Sequence, residues 1–194
     1  MIWTLPNILT ILRLLAAPGV AVMFLYFNRG WADVFALVLF LGAALTDFFD
    51  GYLARLWKQE SRFGAMLDPI ADKAMVVIAL FVITGYSGMN PWLILPATVI
   101  LFREVFISGL REFLGSESGL LKVTGLAKWK TMTQMVAIAT LFAGMGLDRM
   151  GWVDALEQVV FWIGIGLLWV AAALTLLTGF DYFVKAVPLL KGKR

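Results

Sequence analysis

Residues 47–73 read "DFFDGYLARLWKQESRFGAMLDPIADK" and hold four aspartates, Asp47, Asp50, Asp68 and Asp72, in a chain that is otherwise overwhelmingly apolar. A charge near the centre of a bilayer costs about 2.5–3.5 kcal/mol on insertion scales, so such residues face a cavity or a partner. On helices, the three-residue step from Asp47 to Asp50 and the four-residue step from Asp68 to Asp72 each place two carboxylates on one face. The loop between the two pairs is short, which predicts antiparallel neighbouring helices with all four acids converging. Like charges brought together raise one another's pKa and repel, whereas a divalent cation holds them ionised.

The solvent around this stretch follows from composition. Of 194 residues, 61% are hydrophobic and 15% charged, and the mean hydropathy is +0.88. This does not suit a water-facing domain and predicts an all-α integral membrane protein. A spanning helix needs roughly 20 apolar residues. The apolar stretches predict six transmembrane helices, at about 7–28, 32–57, 69–87, 91–113, 130–147 and 155–180. They form one bundle over residues 1–194, after a short interfacial N-terminal segment anchored by Trp3. "MIWTLPNILTILR" lacks a basic start and a small-residue cleavage site, so no removable signal peptide is expected.

Charge sets the expected orientation. Arg55, Lys58 and Arg62 fall in one loop, Arg111, Lys122, Lys128 and Lys130 in another, and Lys185, Lys191, Lys193 and Arg194 at the C-terminus. The opposite loops hold only Arg29 and Arg149. The positive-inside rule then puts both termini and the acid-bearing loop on the cytoplasmic side of the cell (inner) membrane. The net charge of +3 reads as topology, since no aromatic-interleaved basic patch suggests nucleic acid.

The absence of Cys and His removes disulfides, thiolate and imidazole ligands, and Cys or His catalysis. Oxygen-only ligands suit Mg²⁺, Mn²⁺ or Ca²⁺. Each acid also has a plain structural reading: Asp68 before Pro69 suits a helix N-cap, Asp72 a first turn, and Asp50-Gly51 a turn. Gly51, Ala54 and Gly64 permit close approach of backbone or ligand, and Arg55 offers a phosphate-matching fork.

Together these positions spell D-x2-D-G-x2-A-R-x8-G-x3-D-x3-D, which resembles the signature of the CDP-alcohol phosphotransferase family. The resemblance covers essentially the whole chain and implies a six-transmembrane-helix bundle, a homodimer and an active site open to the cytoplasm. It also implies displacement of CMP from a CDP-linked lipid by an alcohol hydroxyl, beside two divalent ions, Mg²⁺ or Mn²⁺. By the same resemblance Asp47, Asp50, Asp68 and Asp72 would be metal ligands, with Asp72 also the base. Asp50, Gly51, Ala54, Arg55 and Gly64 would meet the cytidine diphosphate.

Three further segments bear on the acceptor. In "FREVFISGLREF", Arg103 and Arg111 lie eight residues apart and share a helix face. Lys128, Thr131 and Gln134 step by three along the fifth helix, while Lys122 and Lys130 read as ordinary loop charges. In "PNILTILRLLAAP", Asn7, Thr10 and Arg13 form one polar stripe expected to line the cavity. Asn7 and Thr10 are assigned to the CDP moiety and Arg13 to the acceptor phosphate, with Arg103, Arg111 and Lys128. Arginine and lysine suit a phosphate-bearing acceptor. These segments resemble the branch of the family that joins CDP-diacylglycerol to sn-glycerol 3-phosphate. Inositol phosphate, serine or phosphatidylglycerol are alternative acceptors. A cation channel or proton-coupled transporter is the alternative of another class, but it would spread acids through the membrane depth.

Overall fold

A computed structural model describes residues 4–57, 61–121, 125–149 and 154–191, with side chains throughout except at 30, 47–55, 116, 120, 148, 149, 154 and 191. The described chain is all helical: α1 (Leu5–Tyr26), α2 (Arg29–Leu56), α3 (Arg62–Tyr86), α4 (Pro91–Leu114), a short 3₁₀ turn (Gly115–Leu120), α5 (Leu126–Arg149) and α6 (Asp154–Lys191). Three of these, α1, α4 and α6, are long and apolar enough to cross a membrane, and Trp31–Thr46 of α2 is a shorter apolar stretch. α3 and α5 carry polar groups where they enter the bundle, among them Asp68, Asp72 and Lys73 on α3 and Lys130 and Gln134 on α5.

The order of packing differs from the expectation that α2 and α3 lie side by side. α1 packs against both, and among the described residues α2 and α3 touch only sparingly. The reason is written along α1, whose buried residues Thr10, Arg13, Ala17, Val20 and Phe24 recur in steps of three and four. That seam is polar over its first two turns and small or apolar afterwards, so one helix supplies both a site wall and core packing. α1 runs parallel to α3: Thr10 meets Asp68 at one end, and Phe24 meets Tyr86 at the other, with ring centroids 4.9 Å apart.

The second half closes the bundle. α5 packs on α6 and α2, and α6 also on α4. α5 and α6 approach closely at two glycines: a Cβ on Gly144 would lie 3.1 Å from the Phe161 backbone nitrogen, and one on Gly164 would lie 2.9 Å from Leu141 side-chain atoms. Small residues at such crossings let helix backbones come together in an apolar solvent. The core is shared by Phe40, Met75, Leu80, Ile100, Phe142 and Leu168, while Leu25, Phe81, Phe102, Trp162 and Phe180 point outward. An outward apolar belt on a well-filled bundle is the pattern of a lipid-facing surface.

Local signals account for the helix ends. Asn90 caps α4 by accepting from the Trp92 N–H, with Pro91 at the first helical position, and Gly88 supplies positive φ in the preceding turn. α3 is capped by Ser61, whose hydroxyl accepts from the Gly64 N–H at 3.0 Å. It therefore starts seven residues before Pro69, and Asp68 lies inside the helix instead of capping it. α5 starts at Leu126, which places Lys130 on a helix. α6 continues to Lys191, well beyond the expected end at 180, and so carries Asp181 and Tyr182 into the bundle.

Candidate active site

The site lies at the end of the bundle where α1, α3 and α5 begin and α4 and α6 end. Its first wall is the polar stripe of α1 laid against the start of α3. Ser61 donates to Asn7 Oδ1 at 2.9 Å, Thr10 donates to Asp68 Oδ1 at 2.9 Å, and Arg13 donates to Asp72 Oδ1 at 2.9 Å. A second Arg13 nitrogen lies 3.6 Å from Asp68 Oδ1. Gly64 makes this contact possible, because a Cβ there would sit 2.7 Å from Asn7 Oδ1.

The electrostatics of this wall are uneven. The side chain of Arg13 is 2% exposed, whereas those of Asp68 and Asp72 are 47% and 53% exposed. The arginine thus braces one oxygen of each carboxylate from behind, while the two side chains stay about half exposed. Two half-exposed aspartates one helical turn apart, in a chain without Cys or His, fit a hard divalent cation. The side chains of Asp47, Asp50, Ala54 and Arg55, and Gly51 with them, lie outside the described residues. No cluster of three or more acids suited to a metal occurs among the described residues.

Beside Asp72 opens a cavity of about 270 Å³ whose lining includes Lys73, Arg103, Glu104, Arg111, Lys130 and Gln134, and from α6 Thr178, Asp181 and Tyr182. Four basic side chains from three helices therefore meet in one space. Glu104 organises two of them: Arg103 lies 3.3 Å from Glu104 Oε1, and Lys130 donates to the same oxygen. Lys73 donates to Ser108 at 2.5 Å. The Arg111 guanidinium lies 5.1 Å from the centroid of the Tyr182 ring. Arg103 runs along α6 over Gly179, where a Cβ would come within 3.0 Å of its Cγ. Fixed cations around a space of this size suit a small anion, with Glu104 keeping their charges from repelling before it arrives.

The predicted residues are thus distributed over two adjoining features. Asn7, Thr10, Arg13, Gly64, Asp68 and Asp72 share the α1–α3 wall. Asp72, Arg103 and Arg111 share the cavity. Arg13 is buried behind Asp72 and does not line that cavity, and Lys128 is exposed and does not line it either. Lys130, taken as a loop charge, is 6% exposed and lines it. Two residues along a helix is a turn of some 200°, which separates Lys128 from the inward face that Lys130 shares with Gln134. Lys73, Asp181 and Tyr182 were missed. The available signal was "GFDYF", a polar pair continuing an apolar helix.

The chain is similar to known proteins along most of its length. The sequence profile of CDP-alcohol phosphatidyltransferases matches residues 3–177. A protein of Cereibacter sphaeroides is 64% identical, over 99% of each chain. Proteins of Rickettsia bellii, 40% identical over 92% of this chain and 93% of its own, and of Salmonella choleraesuis, 40% identical over 95% of each, are also similar. All three are named CDP-diacylglycerol–glycerol-3-phosphate 3-phosphatidyltransferase. Since the profile spans most of the chain and the relatives align end to end, this protein belongs to the CDP-alcohol phosphatidyltransferase family.

Proposed function

We propose that the protein transfers the phosphatidyl group of CDP-diacylglycerol to sn-glycerol 3-phosphate, releasing CMP and forming phosphatidylglycerophosphate for phospholipid synthesis. The observation that carries this reading is the cavity that joins Asp72 to Lys73, Arg103, Arg111 and Lys130. An acceptor whose phosphate rests among those cations presents its primary hydroxyl toward Asp72. The names of the similar proteins describe the same donor and acceptor.

The chemistry then follows from the residues. The acceptor oxygen forms a bond to the phosphorus that bears diacylglycerol, the bond from that phosphorus to the CMP oxygen breaks, and the hydroxyl proton passes to Asp72. Arg13, behind Asp72, fixes the carboxylate's orientation so that its outer oxygen faces the hydroxyl. Asp47, Asp50, Asp68 and Asp72 would hold two divalent ions, Mg²⁺ or Mn²⁺. When bound, such ions offset the pyrophosphate charge and stabilise the leaving oxygen. Gly51, Ala54, Arg55 and Gly64, with Asn7 and Thr10, take the cytidine diphosphate side of the site.

All six helices span the membrane in this reading, α3 and α5 turning their polar residues toward the site and their apolar residues toward lipid. Both termini and the site face the cytoplasm, as the distribution of Lys and Arg favours. The family resemblance adds a homodimer. The test is CMP release by the purified protein given CDP-diacylglycerol, Mg²⁺ and, separately, sn-glycerol 3-phosphate, inositol phosphate or serine. Glycerol 3-phosphate is expected to stand out, and faster CMP release with another acceptor would refute the assignment.

A further inference from the structure

The cations of the cavity account for an anion, but two other lining residues are neutral and incompletely bonded. Gln134 is 3% exposed and Tyr182 is 5% exposed, and both line the cavity. The Gln134 Oε1 and the Tyr182 hydroxyl have no hydrogen-bond partner among the described residues. Thr178, on the same wall, is different, since its hydroxyl donates to the Leu174 carbonyl at 2.8 Å. As the side chains stand neither atom is open to water, yet a buried polar atom left unpaired is unfavourable, and a turn of either side chain toward the cavity it lines brings that atom to a ligand's polar group.

Their neighbours define what that group is. Gln134 follows Lys130 by one helical turn on the inward face of α5, and the Tyr182 ring carries the Arg111 guanidinium on its face. Each neutral group therefore stands next to a cation suited to phosphate. A tyrosine hydroxyl donates and an amide oxygen accepts, and an alcohol hydroxyl can satisfy both at once. We infer that Gln134 and Tyr182 are specificity-determining residues that read the secondary hydroxyl of the acceptor, the one that does not react, and so select a polyol phosphate over a simple alkanol phosphate. This rests on the acceptor reading above and adds to it a discrimination that the cations cannot make.

The test compares two acceptors in one preparation of the full-length protein with CDP-diacylglycerol and Mg²⁺: sn-glycerol 3-phosphate, and 3-hydroxypropyl phosphate, which keeps the phosphate and the primary hydroxyl but lacks the secondary one. Wild type is expected to prefer the first by at least about a hundredfold in kcat/KM, because a site built for a hydroxyl rejects the analogue lacking it. Gln134→Met and Tyr182→Phe should each lower kcat/KM for glycerol 3-phosphate by about tenfold, the worth of one hydrogen bond. They should leave hydroxypropyl phosphate within about twofold. The ratio of the two acceptors is independent of the fraction of protein that folds. An unchanged ratio in both variants, or a wild-type ratio near one, overturns the inference while leaving the acceptor reading intact. Absence of CMP release from wild type with glycerol 3-phosphate overturns the acceptor reading itself.

Discussion

Gly64→Ala tests how the α1–α3 wall is built. A methyl group at this position would stand 2.7 Å from Asn7 Oδ1 and 3.3 Å from Ser61 Oγ. The first distance is shorter than real Cβ contacts, so Asn7 must withdraw. Withdrawal breaks its hydrogen bond from Ser61, which spans 2.9 Å and contributes about 1 kcal/mol. Overpacking of a fitted contact adds roughly 1–3 kcal/mol, and the better helix propensity of alanine returns about 0.5–1 kcal/mol. The net expectation is a loss of about 2 kcal/mol, read as a fall of several degrees in the thermal midpoint of the detergent-solubilised protein. The decisive measurement is the double-mutant cycle with Asn7→Ala, which removes the clashing oxygen. In that background Gly64→Ala should cost little or nothing. An equal loss with and without Asn7 would refute the clash and leave Gly64 to be explained by the nucleotide alone.

Two further outcomes concern the chemistry. Asp72→Asn should abolish CMP release while the protein keeps its thermal midpoint to within a few degrees, and chelation of divalent metal should abolish it reversibly; wild-type turnover in the asparagine variant would remove Asp72 as the base. Arg103→Ala and Arg111→Ala should each raise KM for glycerol 3-phosphate by roughly 10–100-fold, the worth of a charge-assisted hydrogen bond. Their effect on KM for CDP-diacylglycerol should be much smaller, and equal losses for both substrates would sink the acceptor pocket.

Much of the site was legible because helical spacing converts directly into shared faces. Asp68 and Asp72, and Asn7, Thr10 and Arg13, stand on common faces as their spacing requires, and the same stripe is continued by Ala17, Val20 and Phe24. What spacing does not carry is which helix a face meets. α1 stands between α2 and α3, and so Arg13 reaches Asp72 and not the cavity. Spacing ranked Lys128 above Lys130, yet Lys130 is the one that lines the cavity, since two residues along a helix exchange inward and outward faces. Asp181 and Tyr182 were missed because α6 continues past the point where its hydropathy falls.

The sequence by itself determined an all-helical chain rich in apolar stretches, the lack of Cys and His donors and the spacing of the aspartates about Gly64, because transfer free energies and the helical repeat act locally along the chain. Only the tertiary structure decided that Gly64 exists to admit Asn7, that Glu104 gathers Arg103 and Lys130, and that Gln134 and Tyr182 meet in one cavity. Those contacts join residues from separate helices, and their geometry is fixed by how the bundle packs.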